Sequence, residues 1–164
     1  MSFEAVEKFE KEIAKYFGSP FSVATDSCTH ALELCLRYQK VDKINVPVNT
    51  YLSVPFLANK LSVPLEWRVE NWKEYYFFQD TNIADAAVMW REGSYVPDTL
   101  MCLSFQPNVP WREQDIDMIG YHYYMTPETA KLGLEKLPLA IETKPKKWTV
   151  NDWPDLTKME IFKT

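Results

Sequence analysis

Glycine is scarce: Gly18, Gly93, Gly120 and Gly133 are the only four among 164 residues, against eleven prolines. The usual share of about 7% would give roughly eleven glycines in a chain of this length. A glycine-rich stretch that an ordinary domain would carry is therefore missing. Basic excess is missing too. With 18 basic and 23 acidic side chains the net charge is −5, which offers no electrostatic footprint for nucleic acid or an anionic membrane. No apolar run approaches the roughly 20 residues that span a bilayer, and the N-terminal segment is charged from Glu4 onward, so no secretory leader is expected. Three cysteines, Cys28, Cys35 and Cys102, form an odd set without a Cys-x-x-Cys spacing. That argues against a disulfide framework or a thiolate metal site, and for reduced thiols in a cytoplasm.

What is present is the composition of one folded domain, 46% apolar and 15% aromatic. Phe3, Val6, Phe9, Ile13, Tyr16 and Phe17 recur at helical spacing, and Gly18 closes the segment as its C′ residue. Phe21 to Thr25 reads as a short strand, the polar turn Asp26-Ser27-Cys28-Thr29 follows, and Ala31 to Leu36 reads as a buried helix. The alternation repeats with a strand over Ile44 to Val48, Asn49 and Thr50 as capping residues, a helix over Tyr51 to Leu61 and a strand over Val63 to Val69. Tyr75 to Ala84 and Thr99 to Phe105 are further β-prone stretches. This order predicts an α/β sandwich on a mostly parallel sheet. Thr126 as N-cap and Pro127 at the first helical position open a last helix, which Pro138 is expected to stop. No internal repeat is found, and the tail after Pro138 has no clean period.

Two places could carry chemistry. The turn at Cys28 and Thr29 sets hydroxyls and free backbone N–H groups at a helix start, where a phosphate binds readily; a plain N-cap explains the same residues. In Ile83-Ala84-Asp85-Ala86-Ala87 a single carboxylate ends an apolar run. Buried there without a cation it would be costly, although an aspartate capping the loop after a strand is the simpler reading. His30 and His122 are the only histidines and lie in no metal-ligand spacing. Lys144-Pro145-Lys146-Lys147 beside Trp148 reads as a solvated tail.

Taken in order, FEKEIAKYFG, TDSCTHALEL, PVNTYLSVPFLANKLSVPLEWRV, IADAA, CLSFQPN and IGYHYYMTPETAKLGLEKL resemble the DegT/DnrJ/EryC1/StrS family of pyridoxal-phosphate-dependent sugar aminotransferases over most of residues 3 to 137. The resemblance implies a three-layer α/β/α large domain of the aspartate-aminotransferase type. It also implies pyridoxal 5′-phosphate as cofactor, a keto-sugar nucleotide as acceptor and an amino acid as amino donor. Cys28 and Thr29 match the turn that holds the cofactor phosphate, and Ser104 matches the serine that adds a hydroxyl to it. Tyr51 matches the aromatic residue on the pyridine face, and Asp85 the aspartate on the pyridine nitrogen. Tyr121-His122-Tyr123-Tyr124-Met125 matches the stretch donated to the neighbouring subunit, which implies a homodimer with shared sites.

The departures are as informative. The family's Schiff-base lysine stands five residues after the serine, and that position is Val109 here, which has neither a nucleophile nor a titratable group. The family then runs through a glycine-rich hairpin, whereas here Asn108 is followed by Val109-Pro110-Trp111-Arg112. Two explanations compete: an internal deletion that leaves a silent scaffold, or a lysine-bearing segment of the polypeptide that this sequence omits. The second is preferred, because excision would remove strands from the middle of a core. A dehydratase relative, which uses histidine in place of the lysine, does not fit valine either. Val88 and His122 also depart from the family pattern, and a helix and strand are missing between Val69 and Ile83. Residues 1–137 then correspond to a reduced large domain with a segment missing after Asn108, and 138–164 to a tail in place of the small domain.

Overall fold

The computed structural model describes residues 3–105, 125–142 and 148–163. Val109 and His122 lie outside the described residues. Helix α1 (Glu4–Phe17) buries Val6, Phe9, Ile13 and Phe17 on one stripe and ends at Gly18, whose φ of 78° lets its N–H reach the Ala14 carbonyl at 2.9 Å. Helix α2 (Cys28–Gln39) starts at Ser27, whose hydroxyl accepts the His30 N–H at 3.1 Å. Strand β1 (Ile44–Pro47), helix α3 (Ser53–Leu61) and strand β2 (Leu65–Arg68) make a β-α-β unit with β1 and β2 parallel. Strand β3 (Tyr76–Phe77) runs antiparallel to β4 (Ile83–Asp85), and β5 (Leu100–Cys102) runs parallel to β4.

The two small sheets are stitched by a side chain. The Arg68 guanidinium donates to the Asn45 carbonyl at 2.7 Å and to the Phe77 carbonyl, while the Gln79 N–H donates to the Asn45 carbonyl at 3.2 Å. Ile83, Leu100 and Cys102 face one side and pack with Leu32 and Leu36 of α2 and Val54, Leu57 and Ala58 of α3. Ala86 and Met101 face the other side, with α1 and helix α4 (Pro127–Glu142). Helices thus cover both faces of the three-stranded sheet, and each of the two sheets contains one parallel strand pair. Each fully buried leucine or isoleucine contributes about 1.5–3 kcal/mol to that assembly.

Three expectations need correction. Residues 21–24 form no strand: Phe21 and Val23 are 74% and 76% exposed, and the Ala24 N–H is taken by the Glu10 carboxylate at 2.7 Å instead of by a neighbouring strand. Asn49 and Thr50 do not cap α3, which begins at Ser53 behind Leu52 with no side-chain cap; both side chains are engaged elsewhere. Helix α4 does not stop at Pro138 but runs on to Glu142. Proline removes one N–H, but Leu137 and Ala140 on either side of it are buried against α1, and the Trp90 indole donates to the Ala140 carbonyl at 2.9 Å.

Candidate functional site

The C-terminal ends of β1 and β4 meet the first residues of α2 and α3, the edge at which open α/β sheets bind ligands. Asp85 closes β4 facing α2 and is 6% exposed. Its Oδ2 accepts the Tyr76 hydroxyl at 2.7 Å and its Oδ1 accepts the Ala87 N–H at 3.1 Å. The Tyr76 hydroxyl also pairs with the Thr50 hydroxyl, which is why Thr50 is unavailable as a helix cap. Among the described residues no cationic side chain is bonded to this carboxylate. Burial therefore pushes the Asp85 carboxyl above the usual carboxylate value, and the bonds from Tyr76 and Ala87 offset only part of that. A cation set beside it would bring the carboxyl back down.

The Cys28 thiol is raised first by burial, then by the charge of Asp85 and then by Cys35, so it is not an activated nucleophile. Cys35 and Cys102 bring their sulfurs to 3.8 Å, with Cys35 the partner that ionises more readily and Cys102 held up as a thiol. Thr29 sits on the first turn of α2, and its hydroxyl is 2.7 Å from that of Ser53 on the first turn of α3. The two helix starts are joined there. Tyr51 is 57% exposed, and its ring meets Trp153 edge-on, with centroids 6.2 Å apart.

The proposed site residues fall into two groups. Tyr51 and Asp85 line a small cavity of about 20 Å³ together with Thr50, Tyr76, Val88 and Trp153. Cys28 and Ser104 line a much larger space of about 740 Å³ on the other side of Cys28, which does not reach Asp85. Phe105 and Met125, the neighbours of the undescribed segment 106–124, both line that larger space. Four residues were missed by sequence reasoning: Tyr76, Thr50, Ser53 and Trp153. Tyr76 and Phe78 alternate inward in Tyr-Tyr-Phe-Phe, a signal that could have found the tyrosine. Nothing local marks Trp153.

His30 Nδ1 pairs with Asp26 Oδ1 at 2.6 Å, and the other Asp26 oxygen is buried without a partner among the described residues. Those residues contain no cluster of three or more His, Cys, Asp or Glu side chains arranged for a metal. None of their helices is long and apolar enough to cross a membrane.

Residues 1–62 match the model of the DegT/DnrJ/EryC1/StrS aminotransferase family. Among solved structures, the pyridoxal-phosphate form of a putative sugar aminotransferase, Spr1654 from Streptococcus pneumoniae, is 26% identical over 40% of this chain and 18% of that one, with a TM-score of 0.39. The apo form of the same protein aligns at 20% identity over 58% and 27% of the two chains, with a TM-score of 0.38. This chain therefore spans less than a third of the length of the solved relatives it matches. No curated protein matches it. The part of the chain that is similar to the DegT/DnrJ/EryC1/StrS aminotransferase family is therefore residues 1–62, which carry α1, α2, β1 and α3.

Proposed function

We propose that this protein is a reduced pyridoxal-phosphate-dependent aminotransferase that moves an amino group from an amino acid to a keto-sugar nucleotide. The observation that carries the reading is Asp85, a buried carboxylate with hydroxyl and amide donors but no cation among the described residues, at the ligand-binding edge of an α/β sheet. A protonated ring nitrogen is the partner such an acid lacks. Thr29 and Ser53 at two adjoining helix starts offer hydroxyls and helix dipoles to a phosphate, with Cys28 beside them and Ser104 as a further hydroxyl. The donor types fit the coenzyme, but Cys28 and Ser104 line a different space from Asp85, and the roughly 20 Å³ free beside Asp85 admits a ring only after Trp153 has moved.

When bound, the coenzyme supplies an electron sink for carbanion chemistry. The chain's part is to hold it. Asp85 keeps a ring nitrogen protonated, Tyr76 and Thr50 fix the orientation of that carboxylate, and Tyr51 covers one side of the ring. The proton shuttle belongs to a lysine expected at or after Val109. The domain reading is residues 1–137 as a reduced large domain with a segment missing after Asn108, followed by 138–164 in place of the small domain, with α4 continuing across Pro138. A cytoplasmic homodimer sharing sites through His122 and its neighbours completes the proposal. The alternative reading, a silent scaffold, draws on Val109.

The test is to incubate the full chain and Asp85→Ala with pyridoxal phosphate, desalt, and measure retained coenzyme by absorbance and phosphate content. Retention by the parent protein and its loss in the variant support the reading. No uptake at millimolar coenzyme refutes it. Amino transfer is then assayed with keto-sugar nucleotides and glutamate.

A further inference from the structure

The small size of the cavity beside Asp85 has a definite cause, and it comes from the far end of the chain. Residues 148–163 lie across the C-terminal end of β1. The Asn49 side-chain amide donates to the Trp153 carbonyl at 2.9 Å, the Leu156 N–H donates to the Val48 carbonyl at 2.9 Å, and Asn49 and Asp155 form a bridge. Beyond these, Phe162 packs on Phe56 and Trp67 at 5.4 and 5.5 Å between centroids. Ahead of them, a capping box between Thr149 and Asp152 sets a 3-10 turn over Val150–Asp152. The indole that this turn presents lies against Tyr51 and Trp72, at 6.2 and 6.5 Å. It also walls the cavity that contains Asp85. What remains has room for about one water.

Trp153 is anchored on both flanks, and its ring also packs on Trp148 at 5.2 Å between centroids, but its polar atom is not satisfied. Its Nε1 is buried with no hydrogen-bond partner among the described residues, which indole rings in a permanent core usually avoid. A carboxylate short of a cation and an indole N–H short of an acceptor therefore wall the same small cavity. A flat ring that presents a cationic N–H to Asp85 would satisfy the carboxylate where Trp153 does not.

We propose that residues 148–163 are a tethered competitor, with the Trp153 indole occupying a flat-aromatic seat between Tyr51 and Asp85, so that a ligand enters only as the indole swings out. The identity of that ligand as pyridoxal phosphate rests on the function proposed above; the occupied seat does not. Two consequences follow. The apparent affinity for the ligand is lowered by the fraction of molecules in which the seat is open, and by reciprocity a bound ligand loosens the tail.

The experiment compares the full chain with Trp153→Ala and Trp153→Leu, the leucine keeping apolar cover over Asp85 should the alanine variant fold poorly. Pyridoxal phosphate and indole are the two probes, read by equilibrium binding and by amide hydrogen exchange over residues 148–158. At least tenfold tighter pyridoxal phosphate binding by both variants, with faster exchange in the tail of the parent protein on adding it, is expected. Equal affinities and an unchanged tail overturn the competitor while leaving the coenzyme reading in place. Absence of pyridoxal phosphate binding in every form refutes the coenzyme reading instead, and indole then decides the seat. Uptake of indole by Trp153→Ala but not by the parent supports an aromatic seat held by Trp153, and no uptake by either overturns it.

Discussion

Replacing Tyr76 by phenylalanine removes one oxygen from the site and leaves the ring in the core. That oxygen stands between Asp85 and Thr50: it donates to the carboxylate at 2.7 Å and pairs with the threonine hydroxyl. All three residues are buried, so water does not readily replace what is lost. A hydrogen bond to a charged group contributes about 1.5–3 kcal/mol and one between neutral groups about 1 kcal/mol. Tyr76→Phe should therefore lower stability by roughly 2 kcal/mol at a pH high enough to ionise Asp85, and by about 1 kcal/mol less below the carboxylate range, where it is neutral. The sign follows from the direction of the shift. Asp85 has its carboxyl raised in the folded protein, so its contribution is full below its unfolded value and falls as pH rises through the raised one. Asp85→Asn should flatten that dependence and be more stable than Tyr76→Phe at the alkaline end of the series. The assay is urea unfolding at several pH values, with unchanged slopes as the check on two-state behaviour. A Tyr76→Phe penalty independent of pH, or a parent protein whose stability rises with pH through this window, would refute the assignment of Asp85 as a strained buried carboxylate.

Further outcomes can be checked with the same material. Gly133 sits where α4 crosses α1, and a Cβ there would stand 2.7 Å from the Phe9 ring. Phe9 is itself packed edge-on against Phe105 at 5.2 Å. Gly133→Ala should then destabilise by about 1–2 kcal/mol despite a helix preference of about 1 kcal/mol in its favour, and Phe9→Leu should recover part of the loss in a double-mutant cycle. Among the thiols, Cys35 should react first with a disulfide reagent at neutral pH, the partly exposed but raised Cys28 more slowly, and the buried Cys102 only on unfolding; simultaneous reaction of Cys102 with the other two would contradict its burial. Glu33 is buried between Arg37 at 2.9 Å and Lys60 at 2.7 Å and so ties α2 to α3. Lys60→Met should cost about 1 kcal/mol in thermal or urea unfolding, and an unchanged midpoint would show that Arg37 alone suffices.

Local chemistry explains which parts of this structure could be read from the chain. Helix α1 was legible because its stripe of Val6, Phe9, Ile13 and Phe17 and its terminal Gly18 are both short-range signals. Asp85 was legible as a carboxylate ending an apolar run and capping the loop after it, where it accepts the Ala87 N–H; a role in a site was implied only by the family resemblance. Phe21 to Thr25 misled because β-prone residues form strands only beside a partner, and Glu10 fills that role with a carboxylate. Pro138 misled because a missing N–H was weighed without the burial of Leu137 and Ala140. The partition of the site into two cavities and the indole beside Asp85 were out of reach of any window along the sequence, because Asn49 and Trp153 are 104 positions apart. The tail has no amphipathic period of its own; its residues are chosen by the groove they lie in.

That separation also sets an order in time. At translation rates of about 5–20 residues per second, the 104 positions between Asn49 and Trp153 take roughly 5–20 s to synthesise. Asp85 follows Asn49 by 36 positions, so β1, α3 and Asp85 can be present together without their cover for the remaining 68, roughly 3–14 s. A small aromatic ligand in the surrounding solution meets the nascent domain before the indole does, and the finished protein's occupancy then depends on which arrived first and how slowly it leaves.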